Sequence, residues 1–203
     1  MVRGKAWLTL MLVGLVGCGP TVQPSGEPSS GGPGMTPPPT FLCTPEAGGS
    51  TSPCTEQQHQ RMQELDAMYA EAEQTYRRFL AEDYRVAKGG GASELSPEFL
   101  ATIGGAKLRA GKLADVKATK KGGYRVRGGE YELKTLRRLA GRELEGSDVG
   151  LAVCVDASSA IIYQNGRRIG PSVVTAEDVY FKRVDGVMKI WTNTNARKVE
   201  KCG

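Results

Sequence analysis

The strongest constraint on how this chain folds is a change of hydrophobic period near Gly122-Gly123. Before it, apolar residues recur every three or four positions; after it, every second. Thr55, with Gln58 three residues on, forms a capping-box start, and Met62, Leu65, Tyr69, Ala72, Tyr76 and Phe79 then follow at alternating spacings of three and four. This predicts an amphipathic helix of about 30 residues, roughly 45 Å long, ending near Arg85 ahead of Gly89-Gly90-Gly91. Fewer than three heptads are present and Asp83 takes the next apolar position, so the seam is expected to pack on the chain's own sheet rather than in a coiled coil. Ser96-Pro97-Glu98 writes a second start: a capping serine, proline at the first helical position and an acid favoured by the helix dipole. Phe99, Leu100 and Ile103 give that helix an apolar face. Gly104-Gly105 should interrupt it before a further short helix through Ala106, Ala110, Leu113 and Val116.

Past the turn, a strand is expected near Tyr131 to Leu139. Val149, Leu151, Val153 and Val155 then alternate with Ala152 and Cys154 across the two faces of another. Asn165-Gly166 and Asp185-Gly186 are hairpin signals, so Ala160–Gln164, Val173–Val184 and Val187–Thr192 read as an antiparallel meander. Helices first and strands afterwards predict an α+β domain over residues 55–203, with the helices on one face of a curved antiparallel sheet.

The N-terminus has a separate role. Arg3 and Lys5 precede an apolar run from Ala6 to Val16, too short to span a bilayer core, as expected of an export signal over residues 1–17. Leu15-Val16-Gly17-Cys18 resembles the bacterial lipobox. The resemblance implies cleavage between Gly17 and Cys18, diacylglycerol on the Cys18 sulfur and usually a third acyl chain on its amino group. Each acyl methylene adds about 0.8 kcal/mol of membrane affinity. Gly19 is not the aspartate associated with inner-membrane retention, so the leaflet stays open. Residues 18–54 read as a Pro/Gly/Ser-rich tether, expected to be disordered from Gly19 to Pro53 and carrying a possible disulfide loop. Loss of residues 1–17 removes Arg3 and Lys5 and lowers the formal charge from +5 to +3. That balance argues against nucleic acid as a partner.

With Cys18 lipidated, Cys43, Cys54, Cys154 and Cys202 form an even set suited to an oxidising compartment. Three pairings exist. Cys43–Cys54 with Cys154–Cys202 is favoured because the first pair brackets the turn-rich loop Thr44 to Pro53. No C-x-x-C knuckle occurs, so no metal site is expected.

Several segments together resemble the nuclear transport factor 2-like (SnoaL-like) family, in the form seen in small actinobacterial envelope lipoproteins. They are Tyr76-Arg77-Arg78-Phe79-Leu80, the short helix from Phe99 to Leu113, the strand Val153-Cys154-Val155-Asp156-Ala157-Ser158, the Asn165-Gly166 hairpin and Val184-Asp185-Gly186-Val187-Met188-Lys189-Ile190-Trp191. The likeness covers about Glu64 to Lys201 and departs from the family's usual ending at Met188, where the tryptophan normally stands. It implies a cone of sheet and helices, a fold that hosts enzymes and binding modules alike.

Acid-base enzymes of that fold place Asp, His or Tyr inside the cone. The one histidine, His59, begins the first helix and is expected on the surface outside it. Asp156 shares a strand face with Cys154 and reads better as a turn cap before Ala157-Ser158-Ser159 than as a catalytic acid. Tyr131, Tyr163 and Trp191, with Asp156, are the candidate pocket residues; Tyr180 and Phe181 are further strand aromatics that core packing explains equally well. Lys107 to Arg142 holds twelve basic residues, against Asp115, Glu130 and Glu132 within it and Glu143 and Glu145 just beyond, which suits an outer face or an anionic lipid or wall polymer. No P-loop, Rossmann glycine pattern, H-E-x-x-H or G-x-S-x-G motif occurs. The expectation is a lipid-anchored, extracytoplasmic, non-catalytic module without cofactor, binding an envelope protein or a small apolar ligand. The alternatives are an enzyme of the same fold using Asp and Tyr, and a protein that dimerises or docks through its first helix.

Overall fold

The structure, a computed structural model, describes residues 40–46, 48–142, 144 and 146–203. The expected signal over 1–17, the cleavage at Gly17, the lipid site Cys18 and the tether as far as residue 39 lie outside the described residues. The described chain is α+β, with helices packed against antiparallel sheets.

Helix α1 (Glu56–Gly89) starts at the capping box read in the sequence: Gln58 N–H donates to Thr55 Oγ1 at 3.2 Å and Thr55 N–H to Gln58 Oε1 at 2.9 Å. It runs past Arg85 because Val86 is still buried, and it stops where Gly90 takes the left-handed conformation at φ 91°. Tyr69, Ala72, Tyr76 and Leu80 form its buried stripe. Helix α2 (Pro97–Thr102) is capped by Ser96 Oγ accepting from Phe99 N–H at 3.2 Å. Phe99 and Ile103 are fully buried beside it, but Leu100, expected on the same apolar face, is 44% exposed. One helical turn has room to bury only one stripe. Helix α3 (Ala106–Lys121) follows immediately and ends at Gly122.

Two short strands, β1 (Phe41–Cys43) and β2 (Ser52–Cys54), pair inside the stretch expected to be disordered tether. Here the correction has a covalent cause. Cys43 and Cys54 are disulfide-bonded, with Cα atoms 5.8 Å apart, and the closed loop is held against α1 by Tyr69 Oη donating to Glu46 and by the His59 ring against Phe41. Phe41–Cys54 is therefore paired and packed on α1.

The remaining strands are β3 (Tyr124–Arg127), β4 (Glu132–Arg138), β5 (Val149–Asp156), β6 (Ile161–Gln164), β7 (Arg167–Pro171), β8 (Val174–Val184) and β9 (Val187–Val199). They do not form the simple meander the sequence suggests. One sheet has the order β4-β5-β8-β9, while the β6–β7 hairpin turns aside and pairs with β3 in a second sheet, β3-β6-β7. The β6–β7 and β8–β9 turns put Asn165 (φ 51°), Gly166 (φ 84°), Asp185 (φ 52°) and Gly186 (φ 79°) in the left-handed region, as two-residue hairpins of type I′ require. Strand β3 was not anticipated, because Val126 is its one buried residue and leaves no period to read. Strand β9 runs seven residues beyond Thr192, kept in register with β8 through irregularities near Ala176 and Tyr180.

The core lies between α1 and the β4-β5-β8-β9 sheet. Val149, Leu151, Val153 and Val155 of β5 meet Tyr69, Ala72, Tyr76 and Leu80 of α1 over Phe181 and Ile190. Ala152 and Cys154 lie on the opposite face, where Cys154 is bonded to Cys202. A second cluster, Val86, Phe99, Ile103 and Val116, joins the three helices. Linker residues Gly104 and Gly105 lie against β9: both N–H groups point at Ile190 O, the nearer at 2.7 Å, and Ile103 bridges to Ile190.

Candidate functional site

A cavity of about 490 Å³ lies between α1, α3 and the end of the main sheet. Tyr76, Phe79, Leu80 and Asp83 reach it from α1, at the i, i+3, i+4, i+7 spacing that puts side chains on one helix face. Lys107, Leu108, Gly111, Lys112 and Asp115 form the α3 wall. The sheet contributes Val155 from β5, Thr175 and Glu177 from β8, and Thr192 and Asn193 from β9. Tyr131, Ala157, Ser172 and Val173 close the side near the β6–β7 hairpin.

Strand β8 sets the polarity of the site. Thr175 and Glu177 stand opposite Val155 and Val153, two core-facing residues of β5, so the face that is sealed and apolar at Val179 and Phe181 becomes polar toward the cavity. Glu177 is gripped from two sides. Tyr76 Oη donates to Oε1 at 3.1 Å and Asn193 Nδ2 donates to Oε2 at 2.7 Å. Burial, then the adjacent Glu177 charge, pushes the Tyr76 hydroxyl far above the usual tyrosine range.

Two helical turns beyond Tyr76, Asp83 Oδ1 accepts from Lys112 Nζ at 3.0 Å. The Lys112 side chain is only 15% exposed and its Nζ lies 5.2 Å from the centre of the Phe79 ring, so aromatic contact accompanies its ion pair. Tyr131 is pushed up to about 12, first by burial and then by the charge of Asp83, with Ser172 pulling the other way. Both cavity tyrosines keep their protons at neutral pH, and Tyr76 donates its own to Glu177. The rim carries the exposed Lys107 and Asp115.

Of the four pocket candidates read from sequence, Tyr131 alone lines this cavity. Asp156 does not, and it caps its own turn instead: Oδ1 accepts from Ser158 N–H at 2.9 Å and from Ser158 Oγ at 2.6 Å, which holds its carboxyl below the usual range. Tyr163 lies on the second sheet under the Arg127 guanidinium, 4.9 Å from the ring centre. Trp191 lies on β9, where its ring has Lys182 Nζ at 4.8 Å and its carbonyl crowds Gly105. Period-two reasoning placed these residues on strands without saying which end of the sheet stays open.

The missed residues had a signal. Asp83 interrupts the apolar seam of α1, and Glu177 interrupts the alternate apolar positions of β8 that continue in Val179 and Phe181. Their meeting across the cavity is a tertiary fact.

His59 contacts the first hairpin, its Nδ1 3.2 Å from Leu42 O, well away from the cavity. It also lies near Cys43 and Cys54, but those thiols are consumed in the disulfide. No helix among the described residues is long and apolar enough to cross a membrane. No protein-family model, curated protein or solved structure matches the chain.

Proposed function

We propose that this chain is a lipid-anchored lipoprotein of the bacterial envelope, whose α+β domain is a nuclear transport factor 2-like cone that binds a small amphipathic molecule without transforming it. The observation that carries the binding half is Glu177 held between Tyr76 and Asn193 in a cavity that also presents Phe79, Leu80 and Leu108. A cavity of this volume, in which fixed polar groups stand against aromatic and aliphatic side chains, has the makeup of a small-molecule site. The earlier expectation of an apolar ligand is narrowed: the occupant should offer an apolar face to Phe79, Leu80 and Leu108 and polar groups to Glu177 and the Asp83–Lys112 pair.

Glu177 and Asp83 are each committed to donors, and the two tyrosines hold their protons, an arrangement better suited to holding a ligand than to moving a proton. The cone reading is supported by a long first helix, two short ones and hairpins at Asn165-Gly166 and Asp185-Gly186. The anchor reading is supported by Arg3, Lys5, the apolar run and Leu15-Val16-Gly17-Cys18, and two disulfides suit an oxidising compartment.

Intact-mass spectrometry of protein extracted from membranes tests the anchor. The expected species starts at Cys18 and carries two or three acyl chains. An unmodified Cys18, or a mature chain lacking it, contradicts the proposal.

A further inference from the structure

The second sheet carries an unbalanced charge. Strands β3, β6 and β7 hold four arginines, Arg125, Arg127, Arg167 and Arg168, and no acidic residue. All four are exposed, and none is in an ion pair among the described residues. The register gathers three of them. Tyr163 stands opposite Arg125 on one side and Arg168 on the other, while Arg127 opposes Ile161, so Arg125, Arg127 and Arg168 share a face around the Tyr163 ring. Exposed Lys117 and Lys121 at the end of α3 lead directly into β3. Along the chain no acid occurs between Asp115 and Glu130, or between Asp156 and Glu177.

Two apolar side chains of this sheet are exposed as well. Ile169, in the irregular step where β7 pairs with β6, is 56% exposed, and Tyr124 is 39% exposed. A cationic sheet that also exposes an aliphatic side chain matches a bilayer interface, where guanidinium groups meet lipid phosphates while an apolar tip enters the headgroup layer. A soluble polyanion would use the arginines and leave Ile169 idle.

We infer that the β3-β6-β7 sheet is a docking face for an anionic phospholipid surface. The inference rests on the envelope-lipoprotein reading for its supply of a nearby bilayer, and its test removes the lipid so that the two stand or fall separately. The mature chain from residue 18, carrying Cys18→Ser, is sedimented with vesicles of phosphatidylcholine alone or with roughly one-third phosphatidylglycerol. The anionic vesicles should bind about tenfold more tightly, and raising salt to about 0.5 M should abolish the difference. Arg127→Glu with Arg168→Glu should remove most of that preference, and Ile169→Asp about two-thirds of it, with circular dichroism unchanged. The same charge reversal at exposed Lys198 and Lys201 should leave binding within about twofold.

Equal binding to both vesicle types overturns the inference, as does a Lys198/Lys201 reversal as damaging as the arginine pair. Competition by soluble polyphosphate combined with insensitivity to Ile169→Asp would also overturn it, and would reassign the face to a polymeric anion.

Discussion

Glu82 is the most deeply buried acid described, 6% exposed, and it joins two helices. Arg85 donates to both its oxygens at 2.6 Å, and Ser96 Oγ donates to Oε1 while capping α2. The Arg85 bonds, and then the Ser96 bond, lower its pKa against the opposing effect of burial. A folded-state pKa below the unfolded value gives stability that is present above the unfolded pKa and lost as pH falls through the folded one. Glu82→Gln should therefore cost about 1–3 kcal/mol near pH 7, and the two denaturation curves should converge below about pH 4. Urea unfolding at several pH values measures this, and a constant gap would refute it. Little of this was legible in the sequence. Glu82 sits on a helix rich in charged residues, and only the fold reveals that it lies under Ser96. Asp83, its neighbour, was legible as an anomaly in the apolar seam, but its partner Lys112 lies 29 residues on and could not be read from spacing.

At the scale of elements, local chemistry located the helices well because their signals are short-range: Thr55 and Gln58 at one start, Ser96 and Pro97 at another, Gly90 at a stop. The hairpin turns were equally plain. Sheet order was not, because Asn165-Gly166 specifies that β6 turns into β7 and is silent on whether that hairpin follows β5 or leaves it for β3. Gly104-Gly105 shows the same division. The pair reads as a helix break, but its further reason is proximity to β9: a Cβ on Gly105 would collide with the Trp191 carbonyl oxygen. Gly105→Ala should thus destabilise by about 1–3 kcal/mol despite an ordinary φ of −69°. Gly89→Ala, which meets open space at the end of α1, should stabilise by up to about 1 kcal/mol. Thermal unfolding of the two variants compares them directly, and equal shifts would contradict the close approach.

At the scale of the molecule, the Cys154–Cys202 bond fastens the C-terminus across a separation of 48 residues to the middle of the main sheet. Closing such a loop restricts the unfolded chain, so Cys154→Ala with Cys202→Ala should cost about 2–4 kcal/mol, more than the Cys43–Cys54 pair with its separation of 11. Unfolding of each double variant by denaturant ranks them, and the reverse order would count against the loop argument. The same sheet leaves its far end open beside α3, and the proposed binding role depends on that opening. Gly111 offers a direct way to close it. The residue lines the cavity, an added Cβ there meets nothing within 4 Å, and a larger side chain suits a helix interior better than glycine does.

The decisive measurement is a fluorescence titration with anilinonaphthalene sulfonate, an amphipathic probe small enough for the site, on the parent chain and on Gly111→Phe. The account predicts one saturable site in the parent, about tenfold weaker or absent in a variant that unfolds at the same temperature or higher. Equal binding by the two proteins would show that this cavity is not where the domain takes its ligand.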